Sequence, residues 1–199
     1  MTEPLIKPFA HPVNDTLMRA LFFPNEFSPE ECQRLQAIPA DADLTRHYQQ
    51  IAAQDMPVYT QNGRFESELL PYQPQNEWLF DRLGKILQSV NQDYYQFELG
   101  NLAGTQRVNF GPGDYLDWHL ELGEGLFSLR KISLILFLSP ASEYTGGKLE
   151  IGSSSQRHQN QSQGSLLIFP AYFMTRIHAV QSGKLAFLQT WVHGKNPFA

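Results

Sequence analysis

Apolar residues recur at helical intervals in the first half of the chain and at every second position in the latter half. FSPEECQRLQAI, residues 27 to 38, predicts a helix start. Ser28 is placed as N-cap, Pro29 at the first helical position, and Glu30 and Glu31 lie near the positive end of the dipole. NEWLFDRLGKILQSVNQ, residues 76 to 92, predicts a second helix. Its Leu79, Leu83, Ile86, Leu87 and Val90 are spaced by three and four and form one stripe to bury. Residues 40 to 75 are mixed and proline-bearing, which predicts irregular structure with a strand pair in QDMPVYTQNGRFES turning at Asn62-Gly63. From residue 94 the period is two, in YYQFELGN, QRVNF, DYLDWHLEL, KISLILFLS, GGKLEIG, GSLLIFP, TRIHAV and KLAFLQTWV, each bounded by turn residues. The polar run GSSSQRHQNQSQG, residues 152 to 164, predicts a solvated loop between two strands. The expectation is a mainly β chain with flanking helices (α+β) in one compact domain: residues 1–93 a helical and irregular part packed on the sheet, residues 94–199 the β core.

Composition narrows the function classes. With 199 residues, 42% of them hydrophobic, the chain can fill one good core. A formal net charge of −5 and no block of Lys or Arg leave no footprint for gripping a phosphate backbone, so nucleic acid is not an expected partner. The single Cys32 permits no internal disulfide and suits a reducing compartment, for which the cytoplasm is the default. No apolar run approaches the ~18 residues of a membrane span, and the N-terminus does not read as a signal peptide. No nucleophile elbow is present.

The candidate chemistry lies in GDYLDWHLELGEG, residues 113 to 125. His119 and Glu121 are two apart on a strand, so both point to the same face. Burying that pair is costly unless a cation or a reaction requires it. A His-x-carboxylate followed by a histidine on a later strand is the two-histidine, one-carboxylate set that holds Fe(II) on one triangular face and leaves positions open for cosubstrate and oxygen. The spacing alone is common in surface and structural pairs and identifies nothing by itself.

The surrounding motifs are more specific. GDYLDWHLE resembles the G-x-Y-x-x-W-H-x-D of the Fe(II)/2-oxoglutarate-dependent dioxygenases of prolyl-4-hydroxylase type, in particular a bacterial branch. RKISLILFLSPASEYTGGKLEI, GSLLIFPAYFMTRIHAV and SGKLAFLQTWVHGKNPF follow that family's later motifs in order, so the resemblance spans about residues 94 to 198. It implies a double-stranded β-helix, a jelly-roll of cupin-like form. It also implies Fe(II) with 2-oxoglutarate as cosubstrate, oxygen as co-reactant, and hydroxylation of a C–H bond, with a peptide or protein side chain as the favoured substrate class.

Carried over, the resemblance makes His119 the first metal ligand and puts Glu121 where the family usually has Asp. Tyr115, four residues before His119, becomes a candidate for touching cosubstrate or substrate. Two positions depart from the pattern. The distal histidine of the family falls on Thr175 and its basic anchor on Leu185. His178 and Lys184 stand close by, but on the wrong strand parity. A β-bulge in TRIHAV would turn both inward, making His178 the third ligand and Lys184 the cosubstrate anchor. Without it, two other readings remain open: a catalytically inactive jelly-roll binding module, or a metal enzyme that does not use 2-oxoglutarate. His193 and His158 have no partner at ligand spacing, and Arg130-Lys131 begins a strand and could meet an acidic substrate, though charged strand ends are ordinary.

Overall fold

The computed structural model describes residues 14–56, 62–152 and 161–198. The chain runs β1 (Leu21–Phe23), α1 (Pro29–Gln36), α2 (Ala42–Asp55), β2 (Gly63–Arg64), β3 (Glu66–Leu69), α3 (Glu77–Val90), β4 (Leu99–Phe110) and β5 (Tyr115–His119). It continues with β6 (Arg130–Phe137), β7 (Tyr144–Gly146), β8 (Leu149–Ile151), β9 (Leu166–Pro170), β10 (Thr175–Ile177), β11 (Val180–Gly183) and β12 (Leu185–Gly194).

The helices follow their local signals. Ser28 caps α1 reciprocally: its Oγ accepts from the Glu31 amide at 3.2 Å, and the Glu31 carboxylate accepts from the Ser28 amide at 2.9 Å. In α3 the residues Leu79, Leu83, Leu87 and Val90 are buried against the large sheet, and Ile86 is half-buried beside them. The helix winds into a π-turn at Asn91–Tyr95 and stops at Gln96, which is left-handed.

Helix α2 corrects the irregular structure expected over residues 40 to 75. Asp41 caps it, accepting from the Leu44 amide at 2.8 Å. Leu44, Tyr48, Ile51 and Ala52 recur at helical spacing, a stripe thinned by its polar neighbours. The predicted hairpin around Asn62-Gly63 is also corrected, although residues 57–61 lie outside the described part. β2 pairs with β5 and β3 with β4, so the two short strands enter different sheets. Phe65 between them packs its ring on Phe110, with centroids 5.6 Å apart, and pins this crossing to the core.

Among the described residues the strands form a six-stranded sheet, in the order β1-β9-β6-β12-β4-β3, and a four-stranded sheet, β2-β5-β10-β8, with β11 and β7 as a separate pair. The architecture is a jelly-roll. Three strands from before residue 94 complete the sheets: β1 on β9, β3 on β4 and β2 on β5. Strands β6 and β12 are buried on both faces, which is why KISLILF reads as a continuous apolar run. One core fills the space between the two sheets with Phe110, Leu116, Ile151, Phe169, Leu185 and Phe187 among others. A second core lies between the large sheet and helices α1 and α3. The polar run at 152 to 164 has its residues 153–160, with His158, outside the described part.

Candidate active site

The candidate site lies where β5 meets β10. His119 is 4% exposed and Glu121, two residues on and just past the end of β5, is 0% exposed, while Leu120 between them is turned out. Both side chains therefore face inward, as alternation requires. His119 Nδ1 is 2.8 Å from the Asp117 carbonyl oxygen, which can only accept, so Nδ1 carries the hydrogen. Nε2 then faces Glu121 Oε1 at 3.2 Å and Thr175 Oγ1 at 3.3 Å. Thr175 is the direct cross-strand partner of His119 and is itself buried.

Glu121 is gripped on every side. Oε1 accepts from Gln189 Nε2 at 2.6 Å, and Oε2 accepts from Trp191 Nε1 at 2.9 Å and from the Arg130 guanidinium at 3.4 Å. The same Arg130 nitrogen reaches the Glu121 carbonyl oxygen at 3.0 Å, and the other terminal nitrogen donates to the Tyr48 hydroxyl at 2.8 Å. The guanidinium lies over the rings of Trp191 and Phe127, 3.6 Å and 4.4 Å from their centroids. Burial alone would push the Glu121 carboxyl upward. The hydrogen bond and charge of His119, the charge of Arg130 and the Trp191 N–H outweigh it and hold the group below the usual carboxylate range. Burial likewise pushes the Tyr48 hydroxyl upward, against the charge and hydrogen bond of Arg130.

The bulge expected in TRIHAV is found on the opposite strand. Thr175 pairs with His119 and Ile177 with Leu116, so three steps of β5 span two of β10, while β10 runs in regular register against β8. Two consequences follow. Leu116 enters the core and Tyr115 turns outward at 44% exposure, so Tyr115 does not share the face of His119. His178 keeps its outward parity and meets Glu150 instead, its Nε2 3.2 Å from Oε1 at ion-pair distance but outside hydrogen-bond geometry. Leu185 is buried in the inter-sheet core. Lys184 is exposed and lines a polar recess with Glu66, Glu68, Arg107 and Glu143. Gly183 before it is left-handed, and a Cβ there would collide with the Glu143 carbonyl, so this turn holds Lys184 outward.

The structure thus brings together His119, Glu121 and Thr175, and leaves His178, Lys184 and Tyr115 away from them. Gln189, Trp191 and Tyr48 were not among the expected site residues, and Arg130 was expected only at a charged strand start. Three of these had a visible signal: an arginine opening an otherwise apolar strand, and Gln189 and Trp191 in the buried run LAFLQTWV.

The donor set fits a divalent ion in part. With Nδ1 already hydrogen-bonded to the Asp117 carbonyl, His119 turns Nε2 toward a carboxylate oxygen 3.2 Å away, a contact that a proton on Nε2 satisfies in the absence of a metal and that a cation can take over. Two acceptors held that close repel unless a proton or a cation lies between them. A hydrogen-bonded Nδ1 is also how a metal-bound imidazole is oriented. The third position is the Thr175 hydroxyl, a weak ligand, and among the described residues no group of three or more His, Cys, Asp or Glu is placed to hold a metal ion. The residues expected to anchor 2-oxoglutarate do not fit it, since Lys184 points away and Leu185 is core.

Comparison with known proteins agrees with this architecture. No family model matches the chain. It is 32% identical over 86 residues to a PKHD-type hydroxylase from Idiomarina loihiensis, a match covering 42% of this chain and 38% of that protein. The chain spans about two fifths of the length of the curated relatives it matches. Among solved structures it superposes on a Pseudomonas putida prolyl-4-hydroxylase with a TM-score of 0.66 at 12% identity, over 89% of this chain and 93% of that one. It also superposes on a prolyl hydroxylase from Trichoplax adhaerens in complex with a hypoxia inducible factor peptide, with a TM-score of 0.65 at 10% identity, over 92% and 86% of the two chains. The fold is the jelly-roll that these prolyl hydroxylases share. The sequence likeness is to bacterial PKHD-type hydroxylases.

Proposed function

We propose that this chain is a hydroxylase of the Fe(II)/2-oxoglutarate class, acting on a C–H bond of a peptide or protein side chain, with the metal held against His119 and Glu121. The sequence likeness to PKHD-type hydroxylases and the shared fold support the class. The observation that carries the metal half is the buried pairing of two metal-ligand types, His119 Nε2 and Glu121 Oε1, 3.2 Å apart on one face. The cosubstrate half rests on the likeness alone. When bound, Fe(II) with 2-oxoglutarate as the two-electron co-reductant would activate molecular oxygen, the oxidant of the hydroxylation.

The chain's own residues do the positioning. The Asp117 carbonyl keeps His119 in the tautomer that presents Nε2. Gln189, Trp191 and Arg130 keep Glu121 in one orientation, leaving its Oε1 edge toward the imidazole. Thr175 offers a hydroxyl across from them, and burial keeps bulk water from the pair. The peptide substrate is supported by the peptide-bound neighbour. A reducing cytoplasmic setting belongs to the same proposal, supported by the lone buried Cys32. No helix among the described residues is long and apolar enough to cross a membrane.

A second reading, which the likeness to hydroxylases does not favour, rests on specific observations of the site. The Glu121 charge is already matched by Arg130, a threonine stands in the third position and a leucine in the anchor position, as in a jelly-roll that binds a ligand without metal. An anaerobic calorimetric titration with Fe(II), then with 2-oxoglutarate on the metal-loaded protein, separates the two. Stoichiometric metal uptake followed by saturable 2-oxoglutarate binding supports the hydroxylase. Heat from neither supports the binding module.

A further inference from the structure

Arg130 is 1% exposed and its side chain has a built seat. Trp191 and Phe127 flank the guanidinium, Tyr48 takes one terminal nitrogen, and the other reaches both the carbonyl and the carboxylate of Glu121. Met56 closes the same side, with its sulfur 3.5 Å from that second nitrogen. Five residues from α2, the turn before β6, β12 and the end of β5 thus converge on one cation. A buried arginine of this kind is kept only if its charge is matched.

We propose that Arg130 is the built-in cation of the site. It neutralises Glu121 so that the fold does not depend on a metal, and a divalent ion at His119 and Glu121 has to compete with it for the carboxylate. This rests on the metal reading above for its second half only. The geometry supports the competition because Arg130 and Trp191 hold Oε2 while His119 faces Oε1, so an ion bound at Oε1 draws on a carboxylate charge that the guanidinium already shares. The sequence gives a parallel reason. Where a third strong ligand would have tied the metal in place there is Thr175, so an internal cation has the advantage over a dissociable one.

The test uses the purified full chain, its Arg130→Met and Glu121→Gln variants, and the double variant. Thermal unfolding is measured in EDTA and again with Mn(II) as the probe ion. Arg130→Met removes the permanent counter-charge of a buried carboxylate and should lower Tm in EDTA by on the order of 6–20 °C. The double variant should recover a large part of that loss, because no uncompensated charge remains. Should Arg130→Met fail to fold alone, the double variant and Glu121→Gln still report the coupling, and Arg130→Lys supplies a charged comparison. In the folded Arg130→Met protein, Mn(II) should bind about tenfold tighter than in the wild type and restore Tm. Additive effects of the two single changes would overturn the counter-ion assignment while leaving the metal reading untouched. Equal Mn(II) affinity with and without Arg130 would overturn the competition. Coupled stabilities with no Mn(II) binding by any variant would overturn the competition and the metal reading together.

Discussion

Leu83→Ala tests whether α3 is anchored as its apolar stripe predicts. Leu83 is 0% exposed and lies in the middle of the buried line Leu79, Leu83, Leu87 and Val90. The substitution removes three buried carbons, about 2.4 kcal/mol at ~0.8 kcal/mol each. Other members of the same core, among them Leu79, Leu134 and Leu136, are fully buried, so the space closes only partly and a cavity cost is added. The total is ~3–4 kcal/mol, within the usual ~2–5 kcal/mol for this change. Ile86→Ala also removes three carbons from the same helix, but Ile86 is half-buried and can lose them without enclosing a void, for about 1 kcal/mol. Equilibrium unfolding in urea, at a slope of ~2 kcal/mol per molar, should drop the midpoint by ~1.5–2 M for Leu83→Ala and by ~0.5 M for Ile86→Ala. Equal shifts for the two variants, or no shift for Leu83→Ala, would refute the assignment of this face to the core.

Thr175→His puts an imidazole directly across from His119 and should tighten Mn(II) binding on the order of tenfold or more, at ~1–3 kcal/mol of stability for the added bulk; unchanged affinity in calorimetry would mean that position 175 does not face the metal. Burial, helped by the nearby Glu31 charge, pushes the Cys32 thiol up to about 11 from 9.0, so folding favours the neutral thiol. The raised value means that its contribution is present below pH 9.0 and is lost as pH rises toward about 11; a pH series of urea midpoints should fall over that window less steeply in Cys32→Ala than in the wild type. The native thiol should also resist an aromatic disulfide reagent at pH 8 until urea unfolds the chain, and prompt labelling of the native protein would contradict its burial.

Much of this molecule is legible in its residues, and the parts that are not have physical reasons. The helix after Ser28 and the stripe of α3 could be read because caps and three-four spacing are local signals. Helix α2 was hidden because four apolar positions among glutamines and acids give a weak stripe, strengthened in the fold by packing of Tyr48 and Ile51 against the inter-sheet core. The inward pair His119 and Glu121 followed from alternation alone. The placement of the remaining site residues turned on one extra residue in a strand, and nothing local told whether it belonged to β5 or to β10. It belongs to β5, and this keeps Thr175 opposite His119, sends His178 to Glu150 and turns Tyr115 out. Arg130 was misread as an ordinary strand start because its partners Tyr48, Glu121 and Trp191 are 82, 9 and 61 positions away, brought together only by the sheets.

The most direct measurement is an anaerobic titration of the metal-free protein with Mn(II), followed by electron paramagnetic resonance, in the wild type and in His119→Ala. One binding site per chain in the wild type, abolished in His119→Ala while circular dichroism shows an unchanged fold, is the result predicted by a metal held at His119 and Glu121. Free-ion signal at every addition to the wild type, or an identical titration of His119→Ala, would contradict it.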